Sequence, residues 1–574
     1  MISIAYNKKI ILFILIILLN SLFAKKAITF DFYRDHLKFS HHKGFDVIRY
    51  DDYEFINKPG CPALPFLIYQ YQLSANYNID TIEVEILKAD TLEGAYQIIP
   101  GSEQYILSRN IKDGRLSKSA IYNQNKPYPE KIVKNKGCGY LSGRKIASLQ
   151  IYPLIYNPHQ KKVVLIEKME LTIHEKQTGS GLQKKNLTCE NLNLKQYFKN
   201  INFLQYRELE SRFNQDNYHP YTIITSEDLS SDFKMLKIWK RQKGLNPKII
   251  TTEGISANYN GKDLPAKIRN FIIYARNNWG TKWVLLGGDT NIIPARYAYA
   301  FDCQANGPAD ANDIPCDLYY SDLDGNWNQD GDNIYGEVED SVDMYPDVFV
   351  GRAPVENSQE ASAFVDKLLK YEKRPGPEHL LDMLFLAMIL WGNPYTDSAI
   401  SKDYIDSVYV PPRFSPVIKL YESRGKGYAD SVINRINRGV NIINHDGHAW
   451  YTTMCVGHSE RLYRFDMDNL RNQDIFPILY SIGCWPAAFD RECIAEHFLN
   501  NPDGGGVAFI GNSRYGWGSP GNPLFGYSDR FDRAFFKNLL QRDIVQSGAT
   551  LAATKAQYIP LSRQENVYRW CQYE

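Results

Sequence analysis

Cys484 and His448 are the two side chains whose types and settings carry the most chemistry. A thiolate attacks a carbonyl carbon, and an imidazole close in space supports it and protonates the leaving group. Each residue follows a short apolar run. Gly439-Val440-Asn441-Ile442-Ile443 leads through Asn444-His445-Asp446-Gly447 to His448, and Pro477-Ile478-Leu479-Tyr480-Ser481-Ile482 leads through Gly483 to Cys484. Runs of this kind, rich in Ile and Val and bounded by glycine, read as buried strands of a parallel sheet. The crevice of an open α/β sheet lies beyond the carboxyl ends of its strands, so the pattern delivers base and thiol to one edge. The plain alternative is structural: a buried cysteine packs, and a histidine satisfies a local hydrogen bond.

Two other clusters invite chemistry. His445, Cys455 and His458 add soft donors near His448 and Cys484, but their spacing fits no compact zinc pattern. The second cluster is acidic, with Asp322, Asp324, Asn326, Asp330 and Asp332 ahead of Glu337 and Glu339. Alternating Asp and Asn with glycines lets several oxygens converge on a hard cation. The expectation is a structural Ca2+ on those five residues, with no cofactor for catalysis. The EF-hand pattern is absent, and the competing reading is a solvated turn built from Asx side chains.

The elements that must position these residues fall into blocks. Lys8-Lys9, an apolar run from Ile10 to Leu19 and Ser21-Leu22-Phe23-Ala24 form a leader expected to span residues 1–24 and be cleaved on export. The apolar run is short for a membrane span, and none is expected in the mature form. Residues 25–205 read as an all-β, sandwich-like domain, with alternation at Thr81–Ile86 and turn residues between short strands. A charged passage at 206–220 reads as a linker and a processing site, with a surface helix as the competing reading. From Tyr221 the pattern changes to strands and helices in alternation, which implies a parallel sheet covered on both faces. Asp263 with Pro265 marks a helix start, and Asp347-Val348-Phe349-Val350 reads as a strand. The chain stops at Glu574 without a clear terminal cap, as a truncated sequence would.

Composition narrows the partners. The chain of 574 residues has 66 basic and 65 acidic side chains, so no basic field invites nucleic acid or anionic lipid. Its 9 cysteines leave at least one thiol unpaired, and Cys303 and Cys316 flank a loop in a way that suits a disulfide.

Several motifs in this order resemble the gingipain family of cysteine peptidases, peptidase family C25, within the caspase-like group. They are Trp239–Gly244, Leu285–Asp289 with Ile293-Pro294, Asp347–Arg352, Asp446-Gly447-His448, Gly483-Cys484, and Ala495–Leu499 leading to Gly504–Gly511. The resemblance implies a caspase-like α/β fold for residues 221–574 and endopeptidase activity, with Cys484 as nucleophile and His448 as catalytic histidine. It places Asp347 where an acid contacts that histidine, the Ala449 and Cys484 amides at the oxyanion, and Trp517 beside the pocket for the residue before the scissile bond. The Pro62–Pro65 segment and Ile151–Pro158 resemble the gingipain propeptide, which would block the cleft until cleaved. The reading is therefore a secreted or cell-surface zymogen exported by the type IX route, acting on protein or peptide substrates. Two alternatives are a sortase-like transpeptidase of that secretion system and a non-catalytic surface assembly module.

Overall fold

The computed structural model describes residues 23–178 and 217–574, apart from 52, 57, 110, 112–115, 142, 304–312, 341 and 375–378. The leader up to residue 22 and the charged passage up to residue 216 lie outside the described residues. Contacts divide the chain into two compact units.

The first unit is all β, as its alternating pattern predicts. Strand Lys162–Gln177 pairs antiparallel with Phe23–Asp31, Leu154–Asn157 and Tyr77–Thr91. Val163, Leu165, Met169, Leu171 and Ile173 from that central strand are buried, mostly at the two-residue spacing a pleated strand gives to one face. A second antiparallel sheet joins Glu54–Phe55, Pro65–Gln72, Arg144–Ile151 and Val133–Leu141. Strand Phe23–Asp31 begins two residues inside the expected leader.

The division between units is not a single point along the chain. Glu103–Arg115 leaves the β-rich region and groups with the carboxy-terminal unit. This corrects the expectation of one continuous domain over 25–205.

The second unit is α/β, with two parallel sheets where the sequence suggested one. Lys248–Thr251, Tyr221–Thr225, Trp283–Gly287 and Phe349–Ala353 form the first sheet in that order. Val417–Tyr421, Met383–Ala387, Ile442–Asp446, Ile478–Ser481 and Ala508–Gly511 form the second. Each sheet has its own apolar core, around Ile223, Phe233 and Leu285 in one case and Leu384, Ile443 and Leu479 in the other. Local signals set the helices. The Asp263 carboxylate accepts the Ala266 amide at 2.9 Å and caps helix Leu264–Trp279, which stops at Gly280 in the left-handed region. The strand expected at Asp347 starts at Phe349 instead. Among the described residues no helix is long and apolar enough to cross a membrane.

Candidate active site

Strand register brings the histidine and the cysteine together. Ile442–Asp446 and Ile478–Ser481 are adjacent and parallel, with His445 paired to Ser481. His448 and Cys484 each lie three positions beyond that pair, so they leave the sheet at matching height on its carboxyl edge. Two glycines permit the close approach. A Cβ on Gly483 would stand 2.6 Å from the Ala449 Cβ, and one on Gly447 would stand 2.4 Å from the Cys455 carbonyl oxygen. The chain then turns sharply. Trp485 has φ of 68°, a left-handed conformation that is unfavourable for a bulky residue and persists only when its surroundings fix it. Its amide donates to the Arg514 carbonyl at 2.5 Å, and its indole packs on Trp450 and beneath the Arg514 guanidinium.

His448 is held by main chain. Its Nε2 donates to the Leu390 carbonyl at 2.9 Å. A carbonyl only accepts, so the neutral ring carries its proton on Nε2 and its lone pair on Nδ1. Nδ1 makes no hydrogen bond of ordinary length. The Trp391 ring stands edge-on to the imidazole, centroids 6.5 Å apart.

A strand from the leading half of the chain occupies this edge. Tyr105–Ile106 pairs antiparallel with Trp517-Gly518, and the Leu107 amide donates to the Gly516 carbonyl at 2.8 Å. The Gln104 side chain fastens the strand at one end, accepting the Tyr527 amide and donating to the Phe525 carbonyl. At the other end the Trp391 indole N–H donates to the Arg109 carbonyl at 3.0 Å. Between them, the main chain at Leu107 meets the His448 ring, and Ser108 meets the thiol through its hydroxyl and its main chain. The thiol also points at the Gly516 carbonyl, 3.8 Å away. Burial pushes the Cys484 thiol up to about 11 against the pull of the Ser108 hydrogen bonds, and pulls the His448 imidazole below its ordinary value against the Leu390 and Leu107 carbonyls. Both groups are therefore neutral in this state.

The other expected residues separate. Ala449 is buried beside Gly483, the residue before Cys484. Trp517 is buried against Phe301 and Trp570 and lends its main chain to the cleft-filling strand. Asp347 is not beside the histidine. It precedes its strand, at the amino end of the first sheet, and its carboxylate accepts the Leu323 amide at 2.9 Å. It joins Asp322 and Asp324 in a compact carboxylate group, and the groups that act on the His448 imidazole are the Leu390 carbonyl and the Glu422 charge.

The acidic stretch is likewise two clusters rather than one. Asp322 and Asp324 meet Asp347, whereas Asp330 and Asp332 meet Glu337 on the surface. Asn326 joins neither; its side-chain oxygen accepts the Asn328 amide. Asp330 and Asp332 accept amides two residues ahead, which is the Asx-turn alternative. Burial, followed by the Asp343 charge, drives the Asp322 carboxyl upward. The zinc pattern fails too: His445 uses Nδ1 on Ser481 and Nε2 on the Cys455 carbonyl. Cys316 keeps its thiol, pushed up to about 12 by burial, so the suggested bond to Cys303 is not made.

Three parts of the site were missed from sequence. A backbone carbonyl at Leu390 has no residue-type signal. Trp391 was hidden in an ordinary apolar run, and Gln104–Arg109 lies inside a region otherwise built as β-sheet.

A buried thiol and imidazole thus lie at one edge of a parallel sheet, beneath a strand of the chain's own leading region. Residues 214–573 match the family model for peptidase family C25, and residues 16–209 match the model for the C25 propeptide. The chain belongs to peptidase family C25. Gingipain R1 of Porphyromonas gingivalis is 22% identical over 510 residues, covering 85% of this chain and 47% of the relative. Lys-gingipain of the same organism is 20% identical over 453 residues, covering 72% of this chain and 23% of the relative. The chain thus spans about half the length of Gingipain R1. Among solved structures, the Arg-specific cysteine proteinase gingipain R is 20% identical, with 62% of this chain and 74% of that chain covered and a TM-score of 0.45.

Proposed function

We propose that the chain is an exported zymogen whose mature part hydrolyses internal peptide bonds with Cys484 and His448. The observation that carries this reading is the Leu107-Ser108 dipeptide lying across both side chains. In this state the thiol meets the Ser108 main-chain N–H and hydroxyl while the Leu107 carbonyl faces the imidazole, so a substrate paired with Trp517-Gly518 must turn its carbonyl to the thiol instead. Nδ1 of His448 takes the thiol proton, Sγ bonds to the carbonyl carbon, and the Cys484 and Ala449 amides receive the oxyanion. The imidazolium gives its proton to the departing amine, and water then hydrolyses the thioester by the reverse proton route.

Latency follows from the same geometry. The cleft-filling strand excludes water, and desolvation keeps thiol and imidazole neutral. Once the strand leaves, the thiol falls and the imidazole rises, and the reactive ion pair forms. The amino-terminal leader supports export to the cell surface or medium, with protein substrates as partners.

The test is a mixed peptide library incubated with the processed chain, with and without a primary amine. Internal cleavage independent of the amine is expected. Products formed only when the amine is present would assign a transpeptidase instead.

We also propose that Asp322, Asp324 and Asp347 hold a hard cation such as Ca2+. The Asp347 Oδ1 is buried without a hydrogen-bond partner where three carboxyls converge, with Arg276 and Arg269 as countercharges. A bound cation supplies compensating charge. Chelation is expected to lower the melting temperature by about 3–8 °C, more at pH 8 than at pH 5. The sign follows from the raised Asp322 carboxyl. It holds its proton in the cation-free fold from its ordinary 3.8 up to about 8, so stability falls as pH climbs through that window. An unchanged melting temperature at both pH values removes the cation.

A further inference from the structure

The cleft-filling strand also records the kind of side chain the cleft accepts. Leu107 is fully buried. A Cβ on Gly516 would stand 2.8 Å from its Cδ1, and one on Gly518 would stand 2.5 Å from its Cδ2 and 2.9 Å from the Trp391 indole. Leu107 thus fills the volume that two glycines leave open beside an aromatic face. Glycine main chain and indole offer no counter-charge to a basic side chain. Of the carboxylates of the neighbouring segments, Asp397 accepts the Ala399 amide, Glu422 accepts the Ile389 and His458 amides while its charge acts on the His448 imidazole, and Asp529 behind Gly518 is drawn to Arg533 and Lys402. Leu107 also stands on the amino side of the peptide group that His448 and Cys484 straddle.

From this we propose that Gly516, Gly518 and Trp391 form a specificity slot for a branched aliphatic residue, leucine foremost, directly before the scissile bond. The proposal rests on the peptidase reading and adds its substrate class. An apolar slot of this kind discriminates by shape and desolvation. It excludes Arg and Lys because their charges would be buried without partners.

Two measurements test it. In the unprocessed full chain, alkylation of Cys484 by iodoacetamide is followed by mapping the labelled peptide. Leu107→Arg should accelerate labelling by about tenfold or more, because arginine cannot seat, while Leu107→Met should stay near the parent rate. Equal protection by arginine and leucine overturns the slot and leaves the thiol's role untouched. In the processed chain, peptides differing only before the cut are compared. Leucine should exceed arginine and lysine in kcat/KM by about tenfold or more, and Gly518→Ala should move the preference toward alanine by a similar factor. Preference for arginine or lysine overturns the proposal. If no peptide is cleaved, the peptidase reading fails, and the labelling result alone decides what the slot accepts.

Discussion

Cys484→Ala is expected to abolish peptide cleavage, with a fall in kcat of about 10^4-fold or more. The nucleophile makes the only covalent bond to substrate, and alanine leaves nothing to form the thioester. Water attacking a carbonyl held at the Cys484 and Ala449 amides would supply the residue of activity. The fold should survive, because the change deletes one sulfur from a buried position. The cost is about 1 kcal/mol, a shift of a few degrees in melting temperature. The readout pairs a peptide-cleavage rate with a thermal melt. Wild-type cleavage by the alanine variant ends the proposed mechanism, and a collapsed melt would make the missing activity a folding effect.

Lys402→Met is expected to be the most destabilising single change near the site. The Lys402 ammonium is fully buried, donating to the Asn444 side chain at 2.9 Å and to Asp532 at 2.5 Å, with Asp446 at 3.8 Å. Asp446 ends the histidine strand, and burial and the neighbouring Asp529 and Asp532 charges push its carboxyl upward. Burial raises all three carboxyls, while Lys402 and Arg533 pull in the other direction. Methionine keeps most of the volume and removes the charge. Breaking a buried ion pair from one side costs about 3–5 kcal/mol, because the partner charge remains. The loss must depend on pH. A carboxyl raised in the fold binds its proton more tightly native than unfolded, so it lowers stability as pH climbs from the ordinary 3.8 toward about 6 for Asp529, and further for Asp446. Removing Lys402 widens that window. Denaturant melts should therefore show the full loss at pH 8 and a smaller one at pH 5. Equal losses at both values would mean that packing, not charge, governs the cluster.

Much of this site was legible in the chain because it depends on side chains that stand out. The strand, glycine and reactive residue at 439–448 and 477–484 announce an edge site, since buried parallel strands need apolar runs and the turn beyond needs a small residue. The Asp263 cap was equally plain. The misplacement of Asp347 has a physical cause. The sequence shows an acid before a strand, but not which end of the sheet faces the histidine, which instead meets the Leu390 carbonyl and the charge of Glu422. The acidic stretch was read as one site because sequence proximity cannot separate a buried trio from Asx turns. The excursion at 103–115 was invisible because its pairing partner lies more than four hundred residues away.

The blocking strand is anchored on both sides: the chain enters it from Ser102 and returns from it to Leu116 within the leading region. A single cut between the two halves is expected to leave Tyr105–Ile106 paired with Trp517-Gly518 as part of a separate chain. Activation then becomes a dissociation equilibrium. Dilution or destruction of the released half should unmask the enzyme, and concentrated preparations should stay silent even after complete cleavage.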